Sequence, residues 1–215
     1  MQAVEAVNAP LLEVCDLACE RGDRLLFEGV SFALAAGALL QIEGPNGSGK
    51  TSLLRVLAGL SPSDAGEVRW RGLAIGRHRP EFAAELLYLG HLPGVHPNLT
   101  PLEHLRMATR LGGWKPSDDA LRWALGEFGL SEYTLTPSRA LSEGQRRRAG
   151  LARLLVSNAA LWVLDEPLSA LDVPGRACVE SALAQHCRRG GVAILSTHQA
   201  VDLDNIDDVT HLRFE

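Results

Sequence analysis

The sequence predicts an α/β fold built on a parallel sheet, and three observations carry that prediction. Apolar runs at residues 38–42 (ALLQI), 86–89 (LLYL), 161–165 (LWVLD) and 191–196 (GVAILS) read as buried strands. Segments of helical period lie between them, which is the alternation that leads to parallel strands with helices on the sheet faces. The first of these runs feeds a glycine-rich turn, and Leu53, Leu54, Val56 and Leu57 then fall at helical spacing.

That turn organises the rest of the chain. Gly44-Pro45-Asn46-Gly47-Ser48-Gly49-Lys50-Thr51 fits G-x-x-x-x-G-K-[ST] at every fixed position, in a strand–loop–helix context. Glycines let the backbone take positive φ and approach a ligand closely. Successive N–H groups at the helix start point at phosphates, and the helix dipole favours their negative charge. Lys50 would reach the β- and γ-phosphates, the Thr51 hydroxyl would ligate Mg²⁺, and Ser52 follows inside the same turn. The loop is predicted to bind a nucleotide triphosphate.

Taken in order, residues 11–15 and 25–32 predict short strands around a turn at Glu20-Arg21-Gly22-Asp23, and Ala36-Gly37 forms a second turn. The first helix ends near Gly59, with Pro62 and Gly66 in the loop beyond. Residues 67–71 alternate as an edge strand would, and Gly72 closes it. Thr100 and Glu103 make a capping box with Pro101 at the first helical position, and Leu102, Leu105 and Leu111 are predicted to share a face. A turn at Gly112-Gly113 and Pro116 precedes a helix carrying Leu121, Leu125 and Phe128. Residues 141–145 open a helix running to about Ser157, and the helix after Pro174 carries Val179, Leu183 and His186. Residues 209–214 alternate as a last short strand.

Composition narrows the function classes. A chain of 215 residues, 46% hydrophobic with a mean hydropathy of +0.02, predicts one globular domain. No apolar run approaches the roughly 18 residues that span a bilayer. The N-terminus lacks a basic segment and carries Glu5 early, so no signal peptide is predicted and the expected location is cytoplasmic. Net charge is −5, and Arg146-Arg147-Arg148, the one dense basic cluster, reads as a solvated helix face; nucleic acid is not an expected ligand. Cys15, Cys19, Cys178 and Cys187 match no zinc spacing and read as small core or surface residues.

Three further stretches carry chemistry. Asp165 ends a buried strand, where ligands collect in open α/β sheets, and is placed to hold Mg²⁺. Glu166 beside it is placed to orient or deprotonate an attacking water. His198, following the strand at 191–196, is placed to donate to a γ-phosphate, whereas the other histidines lack such a context. Ser142-Glu143-Gly144-Gln145 starts a helix whose first N–H groups can meet an anion, with Gly144 permitting close approach.

With these motifs in this order, the chain resembles the ATP-binding subunits of ABC transporters essentially end to end. GPNGSGKT looks like Walker A, LSEGQ like the signature motif, LWVLDE like Walker B, Ser169-Ala170-Leu171-Asp172 like the D-loop and His198 like the switch histidine. The resemblance implies a phosphate-loop ATPase core with an antiparallel β subdomain and a helical subdomain. Residues 1–91 and 145–215 would form the core lobe, and residues 92–144 the helical lobe. It implies ATP and Mg²⁺ as cofactors and Glu166 and His198 as the catalytic pair. It further implies a head-to-tail dimer in which Ser142, Gly144 and Gln145 act on the nucleotide held by a second copy. LLFEGVSF, QIEGPNGSGKTSLLRVLAGL, the YLGH-x-PG stretch, NLTPLEHLR and STHQ are similar to the ATPases of the haem-exporter type complex in bacterial cytochrome c biogenesis. That likeness implies an integral membrane subunit of the CcmB type as partner, at the cytoplasmic face of the inner membrane. An ATPase energising a different transporter is a second reading. A soluble ABC protein acting on DNA or ribosomes is a third; those usually carry paired cassettes or long coiled-coil inserts, and this chain has neither.

Two positions depart from the family pattern. The adenine-stacking region reads Cys19-Glu20-Arg21 with no aromatic, so Arg21 would stack its guanidinium on the base. The Q-loop position, a glutamine in the family, is Leu92, which can hold neither Mg²⁺ nor water. Water positioning is therefore expected to rest on Glu166 and His198. On that expectation Leu92→Gln leaves basal ATP hydrolysis unchanged; a large change would show that the position is still coupled to the chemistry.

Overall fold

The structure, a computed structural model, describes residues 9–22, 24–92, 94–198, 201 and 205–214. The expectations at Glu5, Asp23, Pro93 and Gln199 lie outside these residues. Strands β1 (Leu12–Arg21), β2 (Arg24–Leu34), β4 (Ala65–Trp70) and β5 (Leu73–Ala74) form an antiparallel sheet in the order β2-β1-β4-β5. Strands β3 (Leu39–Glu43), β6 (Leu86–Leu89), β7 (Leu161–Asp165), β8 (Val192–Ser196) and β9 (Val209–Arg213) form a parallel sheet in the order β6-β7-β8-β3-β9. The helices are α1 (Lys50–Leu57), α2 (Arg79–Ala84), α3 (Pro101–Leu111), α4 (Asp118–Glu127), α5 (Glu143–Leu151) and α6 (Val173–Arg188).

Strand pleat divides the interior into two cores. Leu40, Ile42, Leu161, Val163, Val192 and Ile194 turn to one side of the parallel sheet, where they pack with α1 and the inner face of the antiparallel sheet. Their neighbours Leu39, Trp162, Leu164, Ala193 and Leu195 turn to the other side and pack with residues of α3, α4 and α6. Both faces of the central strands are thus covered, which is why those runs are apolar throughout and not alternating. This places the carboxyl ends of β3, β7 and β8 side by side, between the layers.

Several local expectations are corrected. Strands β1 and β2 are longer than the sequence pattern indicates, so Glu20 and Arg21 belong to β1 and not to a turn. A bulge is the reason: register shifts between Cys15 and Ala18, and Asp16 sits at φ 48 with its N–H donating to Ser31 Oγ at 2.9 Å. The bulge breaks the period of two that would have marked a single strand. Gly66 lies in β4 and not in a loop; an added Cβ there would sit 2.4 Å from the carbonyl oxygens of Cys15 and Asp16, so the bulge requires glycine opposite it. Strand β4 is interior, because the two-residue β5 covers its far side. Neither β5 nor α2 was expected. Leu111 is 81% exposed while Leu102 and Leu105 are buried, since nine residues are about two and a half helical turns and carry it to the opposite face. Helix α5 stops at Leu151 and continues as a 3-10 turn to Val156. The capping box at Thr100 and Glu103 forms as expected, with Pro101 in the first turn.

One buried and one half-buried histidine couple this fold to pH. His104 is 4% exposed, and neither ring nitrogen has a hydrogen-bond partner among the described residues. Burial, with Arg153 and His96 nearby, holds its pKa down to about 4. His186 stacks on Trp162 with ring centroids 3.9 Å apart, and burial likewise holds it at about 4 against the hydrogen bonds it makes to backbone carbonyls. Both rings stay neutral in the folded chain, while the unfolded chain protonates near 6.5. Their contribution to stability is therefore complete above that value and is lost as pH falls towards about 4. His104→Leu is expected to lose less of its thermal midpoint than the parent when pH drops from neutral to mildly acidic. Equal losses in a calorimetric comparison would contradict this.

Candidate functional site

The phosphate loop is held from three sides. Gly44, Gly47 and Gly49 take φ of 146°, 81° and 107°, values that favour glycine. Gly44 admits no side chain, because a Cβ would lie 2.7 Å from the Phe214 carbonyl oxygen. Phe214 follows β9, whose His211 and Arg213 reach Glu43 at 3.1 Å each, one residue before the loop. Burial pushes the Glu43 carboxyl up, but those two hydrogen bonds outweigh it and hold the group below its ordinary value. Lys50 is buried, and its Nζ donates to the carbonyls of Gly44 and Pro45 at 2.7 and 2.9 Å. The lysine thus folds back over its own loop.

Helix α1 begins at Lys50 with no acidic residue in its first turn, so nothing in that turn neutralises the positive end of its dipole. Ser48 Oγ is buried with no partner among the described residues. Unpartnered donors around a helix start suit a phosphate group. Leu26, Asn46, Gly47, Gly49, Lys50, Thr51, Ser52 and Glu166 line an open cavity of about 190 Å³ here.

The second half of the site comes from β7 and β8. Thr51 Oγ1 donates to Asp165 Oδ2 at 2.9 Å, so residues 114 positions apart meet. Ser196, paired with Asp165 across the two strands, donates its hydroxyl to Asp165 Oδ1 at 2.7 Å. The same hydroxyl accepts the Glu166 N–H at 3.0 Å. A threonine hydroxyl and a fixed carboxylate are the hard oxygen donors that a magnesium ion takes, so the residues fit that cation. Glu166 stands at φ 50, a left-handed conformation that costs a non-glycine residue about 1–3 kcal/mol. Its side chain is 15% exposed, with Oε2 at 3.3 Å from His198 Nδ1, and it faces the phosphate-loop cavity.

The network that holds this turn contains residues the sequence did not single out. Ser196 is one; a small polar residue ending a buried strand was its only signal. Arg147 is the other, and it overturns the reading of Arg146-Arg147-Arg148 as a solvated face. Arg147 is 6% exposed. Its Nη1 donates to the carbonyls of Gly90 and His91 at 3.2 and 2.5 Å, and its Nη2 to those of Asp165 and Glu166 at 3.2 and 2.6 Å. Arg146 donates to the Leu141 carbonyl and Arg148 lies 3.7 Å from Asp172. Arg147 turns inward because α5 lies against the loop after β6 and the end of β7, while Arg146 and Arg148 are half-buried.

Ser142, Gly144 and Gln145 do not line the loop cavity of their own chain. Ser142 caps α5 and Gln145 closes a capping box with it, at 2.8 and 3.2 Å. Gly144 lies beside the Ala170 carbonyl, 3.7 Å from where its Cβ would be. Arg21 is exposed, opposite Arg24 at the hairpin end, and it too lies away from that cavity, where Leu26 of β2 is found instead. Leu92 is 78% exposed.

The chain is similar to known proteins in sequence and in fold. The family model described as "ABC transporter" matches residues 27–169. The chain is 52% identical over 193 residues to the cytochrome c biogenesis ATP-binding export protein CcmA of Aromatoleum aromaticum, covering 89% of this chain and 90% of that protein. It is 50% identical to the protein of the same name from Methylococcus capsulatus, over 87% of this chain and 90% of the relative. A putative ABC transporter ATP-binding protein from Pyrococcus furiosus superposes with a TM-score of 0.80 at 25% identity, covering 94% of this chain and 96% of that one. A dimeric ATP-binding cassette in a post-hydrolysis state, bound to ADP and Pi, shares the fold with a TM-score of 0.79 at 19% identity, over 95% and 96% of the two chains. With its phosphate loop, Asp-Glu turn and capped LSEGQ helix in this geometry, the chain belongs to the ABC transporter ATP-binding family, in the branch of the CcmA-named export proteins.

Proposed function

We propose that this chain is the ATP-hydrolysing subunit of an export complex for haem in cytochrome c maturation. It would work as a head-to-tail pair of copies beneath an integral membrane subunit of the CcmB type, at the cytoplasmic face of the bacterial inner membrane. The observation that carries the cellular role is the 52% identity to a CcmA-named protein across nine-tenths of both chains. Among the described residues no helix is long and apolar enough to cross a membrane.

The loop N–H groups and Lys50 hold the triphosphate, with Lys50 exchanging its two loop carbonyls for phosphate oxygens. Thr51 and Asp165 would hold Mg²⁺, which neutralises phosphate charge when bound. Glu166 takes the proton of the attacking water, and His198 beside it senses the γ-phosphate. Ser142 and Gly144, which do not line the cavity of their own loop, would face the nucleotide of the second copy. Residues 1–91 and 145–215 would make the core lobe, and residues 92–144 the helical lobe on which the membrane subunit acts. Arg21 remains the candidate for stacking on the base, with Leu26 beneath the loop side.

Glu166→Gln tests this reading at both levels. The variant is expected to bind ATP as the parent does, to stop hydrolysing it, and to accumulate as a nucleotide-bound dimer in size-exclusion chromatography. In cells lacking the natural chain it is expected to leave c-type cytochromes without haem. Parent-like turnover would overturn the assignment of Glu166, and normal c-type cytochromes in cells without the chain would overturn the export role.

A further inference from the structure

Arg147 is a cation buried with no ion pair among the described residues, and its Nε also lacks a hydrogen-bond partner. Burying an unpaired charge is costly, and an apolar side chain of similar size would fill such a place more cheaply. Among the described residues its four hydrogen bonds all go to main-chain carbonyls, two in the loop after β6 and two at the last residue of β7 and the one after it. Those last two residues are Asp165 and Glu166. Arg147 itself stands on α5, five positions beyond Ser142, whose cap begins the helix. A planar guanidinium presents its donors in a fixed fork, so the four carbonyls are held at set positions relative to one another. The side chain at position 92, where the family keeps a glutamine, is an exposed leucine and makes no such link.

We propose that Arg147 is a positioning residue for ATP hydrolysis, joining the helix that starts at Ser142 to the backbone that aims Glu166. The turn at Glu166 is strained, with φ at 50, and something must hold it in that conformation. Ser196 holds its N–H, and Ser169 shares its carbonyl with Arg147 at 3.0 Å. Of these supports only Arg147 stands on α5. A displacement of α5, as when a second copy's nucleotide docks at Ser142, therefore reaches Glu166 through this guanidinium. In this chain the loop of Gly90 and His91 is tied to the reacting centre by its carbonyls and not through residue 92.

The inference rests on the reading of Glu166 as the base, and its test separates the two. Arg147→Lys keeps the charge but cannot bridge four carbonyls, and Arg147→Ala removes both. Each is expected to lower kcat by about 10- to 100-fold while KM for ATP stays within about twofold, with Arg147→Lys keeping the parent's thermal midpoint. Added methylguanidinium is expected to restore part of the turnover of Arg147→Ala and none of Glu166→Gln. Full kcat in Arg147→Lys, or a loss appearing only in KM, would overturn the positioning role. If Glu166→Gln itself hydrolyses ATP like the parent, the assignment of Glu166 fails instead.

Discussion

The hydrogen bond from Thr51 Oγ1 to Asp165 Oδ2, 2.9 Å long, is the contact on which the site depends. It joins the first turn of α1 to the end of β7, and so joins the proposed phosphate-binding loop to the strand that carries the acids. Everything around it serves to keep the two in reach. The parallel pairing of β7, β8 and β3 brings their carboxyl ends level, which places Asp165 beside Ser196 and Ser196 near the loop strand. Apolar packing on both faces of those strands makes the platform rigid, since neither layer can shift without opening a core.

Around that joint, charge is arranged for exchange more than for permanent satisfaction. Lys50 is bound to carbonyls, which are weaker partners than phosphate oxygens, and Ser48 Oγ has none among the described residues. Asp165 accepts from two hydroxyls and makes no side-chain ion pair among the described residues. Such a site gains more from a charged ligand than one already closed by salt bridges. The supports further out are of the opposite kind. The Glu43 clasp to His211 and Arg213 and the Arg147 fork onto four carbonyls are made entirely within the protein.

Much of this was legible in the sequence. The fixed positions of G-x-x-x-x-G-K-[ST] and the apolar strands around them identify the core, because those features are local. Asp165 and Glu166 were readable for the same reason, as a buried strand that ends in acid. What could not be read depends on distant backbone. Arg147 looks like any arginine in a basic run, and only the approach of two loops turns it inward. Ser196 gains its role from register with Asp165, and β1 was cut short because a bulge at Asp16 hides the strand period. Leu111 lies half a turn out of phase with Leu102, so it is exposed although it belongs to the same helix.

On the proposed reading, Thr51 and Asp165 together would make the magnesium half of an ATP site. The direct measurement is the affinity for ATP, with and without Mg²⁺, in the parent and in Asp165→Asn. The parent is expected to bind ATP more tightly when Mg²⁺ is added, and the variant to show no such gain while still binding ATP through the loop. An unchanged response to Mg²⁺ in Asp165→Asn would contradict the account.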